Sequence, residues 1–238
     1  MARGAQSQHS DRTLVIMAKA PRPGGVKTRL SACLAPEAIL GLYRCLLQDT
    51  IALAQSLDGV ETAIMCPVAD VEELSRFADH GVRVVAQTGD GLGAALTAVF
   101  AHFAAAGRRV VAFNSDSPHL PPSALRRAFE ALGSCDLVAG PTHDGGYYLV
   151  GATASHPGLF AGSSMGTSRA LDALLAQARS MALTVGFIDP FYDVDVPDDL
   201  NRLAAELRSA PQRAPRTAKW LKDWSRPVVQ TQAAGLDA

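Results

Sequence analysis

Lys19, Lys27 and Arg29 lie in one stretch, MAKAPRPGGVKTRL, directly after the apolar run Leu14-Val15-Ile16. Three cations on a backbone loosened by Gly24 and Gly25 can converge on phosphate oxygens, because glycine lets the chain approach a ligand closely and charged donors bind phosphate strongly. The spacing is neither G-x-x-x-x-G-K-[ST] nor G-x-G-x-x-G, so neither a Walker loop nor a dinucleotide fingerprint is present. A proline-rich turn with solvated charges is the plain alternative. Arg22, between Pro21 and Pro23, reads as solvated.

Carboxylates recur in three later segments. Asp116, in NSDSPHL after the apolar run Val110 to Phe113, sits where a strand end would hold an acid toward a cleft, although an Asx or Ser turn explains the same residues. In YDVDVPDDL, Asp193 and Asp195 are two apart, so on an extended segment their side chains point the same way. Paired oxygen ligands beside a phosphate suit Mg²⁺, or Mn²⁺ in its place, with an acidic turn in solvent as the alternative. Asp198 and Asp199 follow Pro197 and complement the dipole of a helix starting there. In GPTHDGGYYLVG, Asp144 precedes Gly145, Gly146 and Tyr147. The plain reading is a hairpin built on Asp-Gly, with His143 a surface neighbour.

Residues of these types act only if something brings them together, and the hydrophobic pattern says what. Leu14 to Met17 is a strand, and Leu40, Tyr43, Leu47, Ile51 and Ala54 recur at helical steps after Pro36. VETAIMCP, VRVVAQ, RRVVAFNSD and DLVAG read as further strands, with helices at 71–78, 93–106 and 122–132 between them. GGYYLVGA is another strand, 167–182 a helix, and VGFIDPFYDVDV a late extended segment. Apolar strands alternating with helices imply an α/β fold, a mostly parallel twisted sheet of Rossmann-like type covered by helices on both faces. In such sheets ligands bind beyond the carboxyl ends of the strands, which is where the suspect segments fall.

The chain has 238 residues, 48% hydrophobic and 19% charged, enough for one sizeable core. Lys and Arg number 22 against 23 Asp and Glu, a formal net charge of -1, so no basic face for nucleic acid is advertised. Cys33, Cys45, Cys66 and Cys135 lack C-x-x-C spacing, which speaks against zinc and for a reducing cytoplasm. MARGAQSQHSDR has no apolar core of signal-peptide length, and the longest mostly apolar run, Ala94 to Ala106, is too short to span a bilayer. A cytoplasmic protein without membrane contact is expected. Residues 1–11 are expected to be a flexible N-terminus and 12–208 the domain. The segment 209–238, rich in Pro, Arg, Gln and Ala, is expected to be a loosely held tail in which Trp220 and Trp224 dock one turn.

MAKAPRPGGVKTRL, NSDSPHL, GPTHDGGYYLVG and DVDVPDDL occur in the order found in the radical-SAM/selenodomain-associated transferases, labelled arsenosugar-biosynthesis glycosyltransferases. The chain resembles that family over residues 12 to 205. The family lies in the nucleotide-diphospho-sugar transferase (GT-A) superfamily, and VKTRL and DVDVPDDL are also similar to elements of 2-phospho-lactate guanylyltransferases. The resemblance implies a nucleotide and a divalent cation. It places Ala18, Lys19, Gly24, Gly25, Lys27, Arg29, Gln87, Gly91 and Gly93 around the nucleotide, and Asp116, Asp193 and Asp195 on the metal. Asp144, Gly145, Gly146, Tyr147, Thr167 and Ser168 fall beside the acceptor, with Lys27, Arg29, Asp116 and Asp144 as the catalytic groups. Where the family has Gly-Asp-Leu-Gly-Glu-Arg-Met this chain reads GDGLGAAL, closer to the guanylyltransferase version, and SMGTS replaces a Trp-Ser-Thr element.

Two reactions compete. In nucleotidyl transfer an acceptor phosphate or hydroxyl attacks the α-phosphorus of a nucleoside triphosphate, while metal and the Lys/Arg loop neutralise charge on the departing pyrophosphate. In glycosyl transfer from a nucleotide-sugar the acceptor attacks the anomeric carbon, with Asp144 as base. Three cations in one loop fit a triphosphate better than a diphosphate already bridged by metal. Nucleotidyl transfer to a small phosphorylated or hydroxylated acceptor is therefore the expectation. A catalytically silent nucleotide-binding protein on the same fold is the third reading, and retention of Asp116, Asp193 and Asp195 speaks against it. Where the chain assembles, a homodimer is the expectation.

Overall fold

The structure, a computed structural model, describes residues 10–78, 81–104, 108–162 and 166–224. Strands β1 (Arg12–Met17), β2 (Glu61–Cys66), β3 (Val82–Ala86), β4 (Arg109–Asn114), β5 (Leu137–Pro141), β6 (Tyr147–Ala152) and β7 (Val185–Phe187) form one 7-stranded sheet. Their order is β3-β2-β1-β4-β6-β5-β7. All neighbours pair in parallel except β6, which runs antiparallel to both β4 and β5. The mostly parallel Rossmann-like sheet expected from the sequence is present.

Successive side chains of a strand point to opposite faces, and both faces here are covered. Leu14 and Ile16 join a core with Leu47 and Ile51 of helix α1 (Pro36–Gln55) and Leu74 of α2 (Val71–Ser75). Phe129 of α4 (Pro122–Ala131) belongs to the same core. Val15, between them, joins Val99 and Phe100 of α3 (Gly91–Phe103) and Leu174 of α5 (Ala170–Ser180) on the other face. Such burial on both sides is why β1 reads as an unbroken apolar run. Helix limits shift from the sequence reading: α3 starts at Gly91, and α5 at Ala170, which leaves Thr167 and Ser168 in a loop. Residues 105 and 106 of the expected third helix lie outside the described residues.

Helix α1 is covered on a second side as well. Its Leu42 and Leu46 pack with Leu200, Leu203 and Leu207 of α6 (Pro197–Ser209) and with Leu221 of α7 (Pro215–Trp224). Leu40, expected on the apolar face, is only half-buried, whereas Ile39, Leu42 and Leu46 are buried.

The reading of 209–238 as a loosely held tail does not fit its described part. Thr217 and Leu221 of α7 are buried against α1, and the reason is an acid on α1. Asp49, itself buried, accepts hydrogen bonds from the Thr217 N–H and hydroxyl, both at 2.8 Å, and from the Arg216 N–H at 3.2 Å. It thereby satisfies donors that the first turn of a helix leaves free. Trp220 lies over Gly41, where a Cβ would come within 2.9 Å of the indole Nε1. The two tryptophans pointed to one docked turn, and Trp220 does lie on α1; that a whole helix docks follows from the buried acid of α1 that holds its first turn, which the composition of the tail does not reveal. Residues 225–238, and residues 1–9 of the expected flexible N-terminus, lie outside the described residues.

Replacing Asp49 by alanine leaves those donors unpaired in a buried place, which should lower stability by about 1–3 kcal/mol. In a chain of this size each kcal/mol lowers Tm by about 2–4 °C. An unchanged thermal melt would show that the capped helix adds nothing to the stability of the domain. None of the described helices is long and apolar enough to cross a membrane.

Candidate functional site

The carboxyl ends of β1 to β4 and the start of antiparallel β6 share one rim of the sheet, and a cleft of about 890 Å³ opens there. That volume suits a small ligand. The sheet order spreads its lining into three parts. Pro67, Gln87, Asp90 and Gly91 line one wing, beside β2 and β3; Ala18, Lys19, Gly25, Lys27, Arg29 and Asp116 lie at the centre. Thr142, Asp144, Gly146, Tyr147, Thr167 and Ser168 line the other wing, beside β5 and β6.

The loop after β1 is pinned before it turns inward. Ala18 N–H donates to the Met65 carbonyl at 3.2 Å, and Ala20 N–H to Asp70 Oδ2 at 2.9 Å. Arg22, read from the sequence as solvated, is instead the pin: its guanidinium pairs with Asp70 at 2.8 Å and Glu73 at 3.2 Å and donates to the Ala69 carbonyl at 2.7 Å. Gly24, at φ 69° with nothing within 4 Å of a Cβ, contributes backbone conformation and does not line the cleft. The chain then reverses, and Lys27 enters the cleft floor.

Lys27 is itself in the left-handed region, at φ 49° and ψ 37°. A residue other than glycine held there costs on the order of 1–3 kcal/mol, and such strain collects at functional sites. Its side chain is 2% exposed, with Nζ 2.8 Å from Asp116 and 3.5 Å from Asp195. Neither contact has hydrogen-bond geometry, so the attraction is ionic. Arg29, largely exposed, meets Asp195 at 2.9 Å, and Lys19 stands exposed at the rim.

The late extended segment is stitched onto the end of β4, and this brings the acids together. Ser117 hydroxyl donates to the Tyr192 carbonyl at 3.0 Å, and Val194 N–H to the Asp116 carbonyl at 3.1 Å. Asp199 Oδ2 accepts from the N–H groups of Asp195 (3.0 Å) and Val196 (2.9 Å), fixing the approach to α6. Asp193 and Asp195 both line the cleft while Val194 between them is buried, as the two-residue spacing requires. Burial, and then the negative charge of Asp116, push the Asp193 carboxyl up to about 6.

Among the described residues no group of three or more His, Cys, Asp or Glu side chains is drawn together as an ion site. The ammonium of Lys27 stands between Asp116 and Asp195 instead. The set is nonetheless made of oxygens alone and is short of positive charge around Asp193, which fits a hard divalent cation such as Mg²⁺.

On the wing beside β5 and β6, the Thr142 hydroxyl and the Gly146 N–H both donate to Asp144 Oδ1, at 2.5 and 3.2 Å. The Thr142 bond first, then the Gly146 bond and the charge of Arg29, hold the Asp144 carboxyl below its ordinary range despite partial burial. A carboxylate so held is a weak proton acceptor and a good hydrogen-bond acceptor. Gly145, at φ 88°, does not line the cleft. A Cβ there would fall 2.0 Å from the Ser168 carbonyl oxygen, so this glycine lets the hairpin lie against 166–168 and bring Thr167 and Ser168 to the cleft. Gly93 lines a neighbouring pocket with Thr97 and Phe160.

Two residues acquire roles that the sequence did not advertise. Tyr43 reads as one more apolar position of α1, yet its hydroxyl donates to the Lys19 carbonyl (3.0 Å), accepts from the Lys19 N–H (3.2 Å) and lies 3.3 Å from Ser115 Oγ. Burial, with the charge of Asp116, pushes it up to about 12, so it stays a neutral strut between the β1 and β4 loops. His119, in NSDSPHL, is fully buried against Phe191 and Tyr192. Burial pushes its imidazole down to about 3, and it serves packing as an uncharged ring.

Residues 50–167 match the family model DUF2064, described as an uncharacterized protein conserved in bacteria. The chain is 29% identical over 199 residues, 83% of its length and 87% of the relative's, to a 2-phospho-L-lactate guanylyltransferase of Halorubrum lacusprofundi. The crystal structure of a protein assigned as a nucleotide-diphospho-sugar transferase, from Desulfovibrio desulfuricans G20, superposes with a TM-score of 0.82 at 28% identity. That match covers 90% of this chain and 95% of the other. The 4-diphosphocytidyl-2C-methyl-D-erythritol synthase of Anaerococcus prevotii DSM 20548 shares the fold, with a TM-score of 0.57 at 10% identity over 83% of this chain and 97% of that one. The similarity to 2-phospho-lactate guanylyltransferases and to nucleotide-diphospho-sugar transferases, read from the motifs, holds in homology and in fold.

Proposed function

We propose that this chain, with its DUF2064 match and its transferase relatives, is a divalent-metal-dependent nucleotidyltransferase that moves a nucleoside monophosphate from a nucleoside triphosphate to a small acceptor. The observation that carries the reading is Lys27: a buried ammonium, on a strained backbone, set among acids at the centre of a cleft. Strain and a buried charge are both costly, and they persist where function needs a charge in a fixed place.

In the proposed reaction the triphosphate lies across the centre, with Lys19, Lys27 and Arg29 as its cationic partners. Asp116, Asp193 and Asp195 would hold Mg²⁺, which when bound supplies positive charge to the phosphate oxygens. An acceptor oxygen on the Asp144 wing attacks the α-phosphorus, a new P–O bond forms, and the bond to pyrophosphate breaks. Asp144, Thr142 and Ser168 orient the acceptor through hydrogen bonds. Lys27 and Arg29 stabilise the charge gathering on the departing pyrophosphate, which needs no protein nucleophile.

Glycosyl transfer from a nucleotide-diphospho-sugar is the second reading, favoured by the 28% identical structure of that assignment. The low basicity of Asp144 weakens it, because that residue was its expected base. The purified protein, given nucleoside triphosphates and, separately, nucleotide-sugars with candidate acceptors and Mg²⁺, should release pyrophosphate from a triphosphate and no nucleoside diphosphate from a nucleotide-sugar. Nucleoside diphosphate released from a nucleotide-sugar, with no pyrophosphate from any triphosphate, would sink the nucleotidyl reading.

A further inference from the structure

Helix α1 grips the end of β4 at two points. The buried Thr50 shares its hydroxyl proton between the Leu46 carbonyl at 2.8 Å and the Ser115 carbonyl at 3.2 Å. Tyr43, seven residues earlier and so on the same helix face, meets the Ser115 hydroxyl at 3.3 Å. Ser115 is buried as well, and its hydroxyl reaches on to Asp116 Oδ1 at 3.4 Å, while the Lys27 ammonium lies by the other oxygen, Oδ2. At the far end the Tyr43 hydroxyl reaches the Lys19 carbonyl at 3.0 Å and accepts from the Lys19 N–H at 3.2 Å. The row from the Lys19 carbonyl through Tyr43 and Ser115 to Asp116 thus has three links. Its two hydroxyls bring one proton each, so at most two links are filled at a time.

We propose that Tyr43 is a positioning residue which, through Ser115, couples the hold on Lys19 to the presence of a cation at Asp116. The inference rests on the nucleotidyl reading, which sets a cation on Asp116 and phosphate beside Lys19. A carboxylate without a cation is the strongest acceptor in the row and claims the Ser115 proton. The Tyr43 proton is then divided between Ser115 Oγ and the Lys19 carbonyl. A cation on Asp116 weakens that claim, and the Ser115 proton turns back to the Tyr43 oxygen. The Tyr43 proton is thereby left to the Lys19 carbonyl alone. Asp70 holds the N–H of the same peptide, on Ala20, so filling this link fixes the peptide from both sides. Cation and phosphate therefore assist each other's binding, and by linkage the help is equal in both directions.

The test is equilibrium binding of inorganic triphosphate, in Mg²⁺ and in a chelator, to the full chain and to its Tyr43→Phe, Ser115→Ala and double variants, with a thermal melt of each. The ratio of the two affinities measures the help that the cation gives. Tyr43→Phe should cut the wild-type ratio about 3- to 10-fold, the worth of one ordinary hydrogen bond. Ser115→Ala should cut it to a similar degree, and the double variant no further than the larger single loss, because either change opens the row. A merely structural role would lower the melt and both affinities alike and leave the ratio where it was. Should Tyr43→Phe not fold, Ser115→Ala decides by the same ratio. An unchanged ratio in the folded variants, or losses that add in the double, overturns the coupling and leaves the nucleotidyl reading standing. A wild type that binds triphosphate no more tightly in Mg²⁺ than in chelator overturns the coupling together with the metal site. Failure to hold triphosphate in either medium overturns the coupling and the nucleotidyl reading together.

Discussion

Lys27→Met should lower turnover by about 10²- to 10³-fold, the usual loss when one preorganised charge contact to a developing anion is removed. Nucleotide affinity should fall much less, because the contact strengthens as pyrophosphate departs and is weaker in the ground state. Methionine keeps most of the length of the side chain and all of its backbone strain, so the change is one of charge. A second signature follows from the acids. Without the ammonium, Asp116 and Asp195 lose their buried counter-charge, and breaking such a pair costs about 3–5 kcal/mol when both partners are buried. Both carboxylates are partly exposed here, so the loss should be smaller. Added Mg²⁺ should restore more of the melting temperature in the variant than it adds to the wild type. Turnover within a few-fold of wild type, or a melt indifferent to Mg²⁺ in both proteins, would remove Lys27 from the mechanism.

Asp116→Asn carries the other large effect. Loss of groups that merely orient metal ligands costs about 10- to 100-fold in metal affinity, so loss of a ligand should cost more. Nucleotide binding in Mg²⁺ should therefore fall to the level measured in a chelator, and the two titrations should coincide. The fold should survive, because the strand end is tied to the late segment by the Asp116 carbonyl and the Ser117 hydroxyl, neither of which the substitution touches. A variant that still gains affinity on adding Mg²⁺ would place the cation elsewhere.

The sequence showed the charged parts of this cleft better than their supports. Lys27, Arg29, Asp116, Asp193 and Asp195 were legible because each follows an apolar run that had to be a strand, and strand ends meet at one rim. The order in which strands lie side by side is set by pairing across the chain. The Asp-Gly hairpin implied that β6 runs against β5, but the insertion of β6 between β4 and β5 was for that reason not legible in GGYYLVGA. Tyr43 and Asp49 went unnoticed for a common reason. On a helix both fall at ordinary spacing, and only the loop or helix packed above reveals what the oxygen is for. Arg22 was misjudged because two flanking prolines describe the backbone and say nothing of Asp70 and Glu73, which α2 brings close from far along the chain.

The reversed strand has a consequence for inheritance. Because β6 runs against β4 and β5, the turn that precedes it opens on the cleft, and residues 142–146 form a tip tethered at both ends by paired strands. The groups that line the centre of the cleft come almost wholly from earlier in the chain and from the late acidic segment. Beyond the two strands, Gly145 ties the tip to the segment that follows, lying against Ser168 and accepting from the Leu171 N–H at 3.1 Å, so substitutions at its other positions leave the register of β1 and the stitch between Asp116 and Val194 in place. On the proposed function, a new acceptor could be accommodated there while the phosphate-binding centre stays as it is.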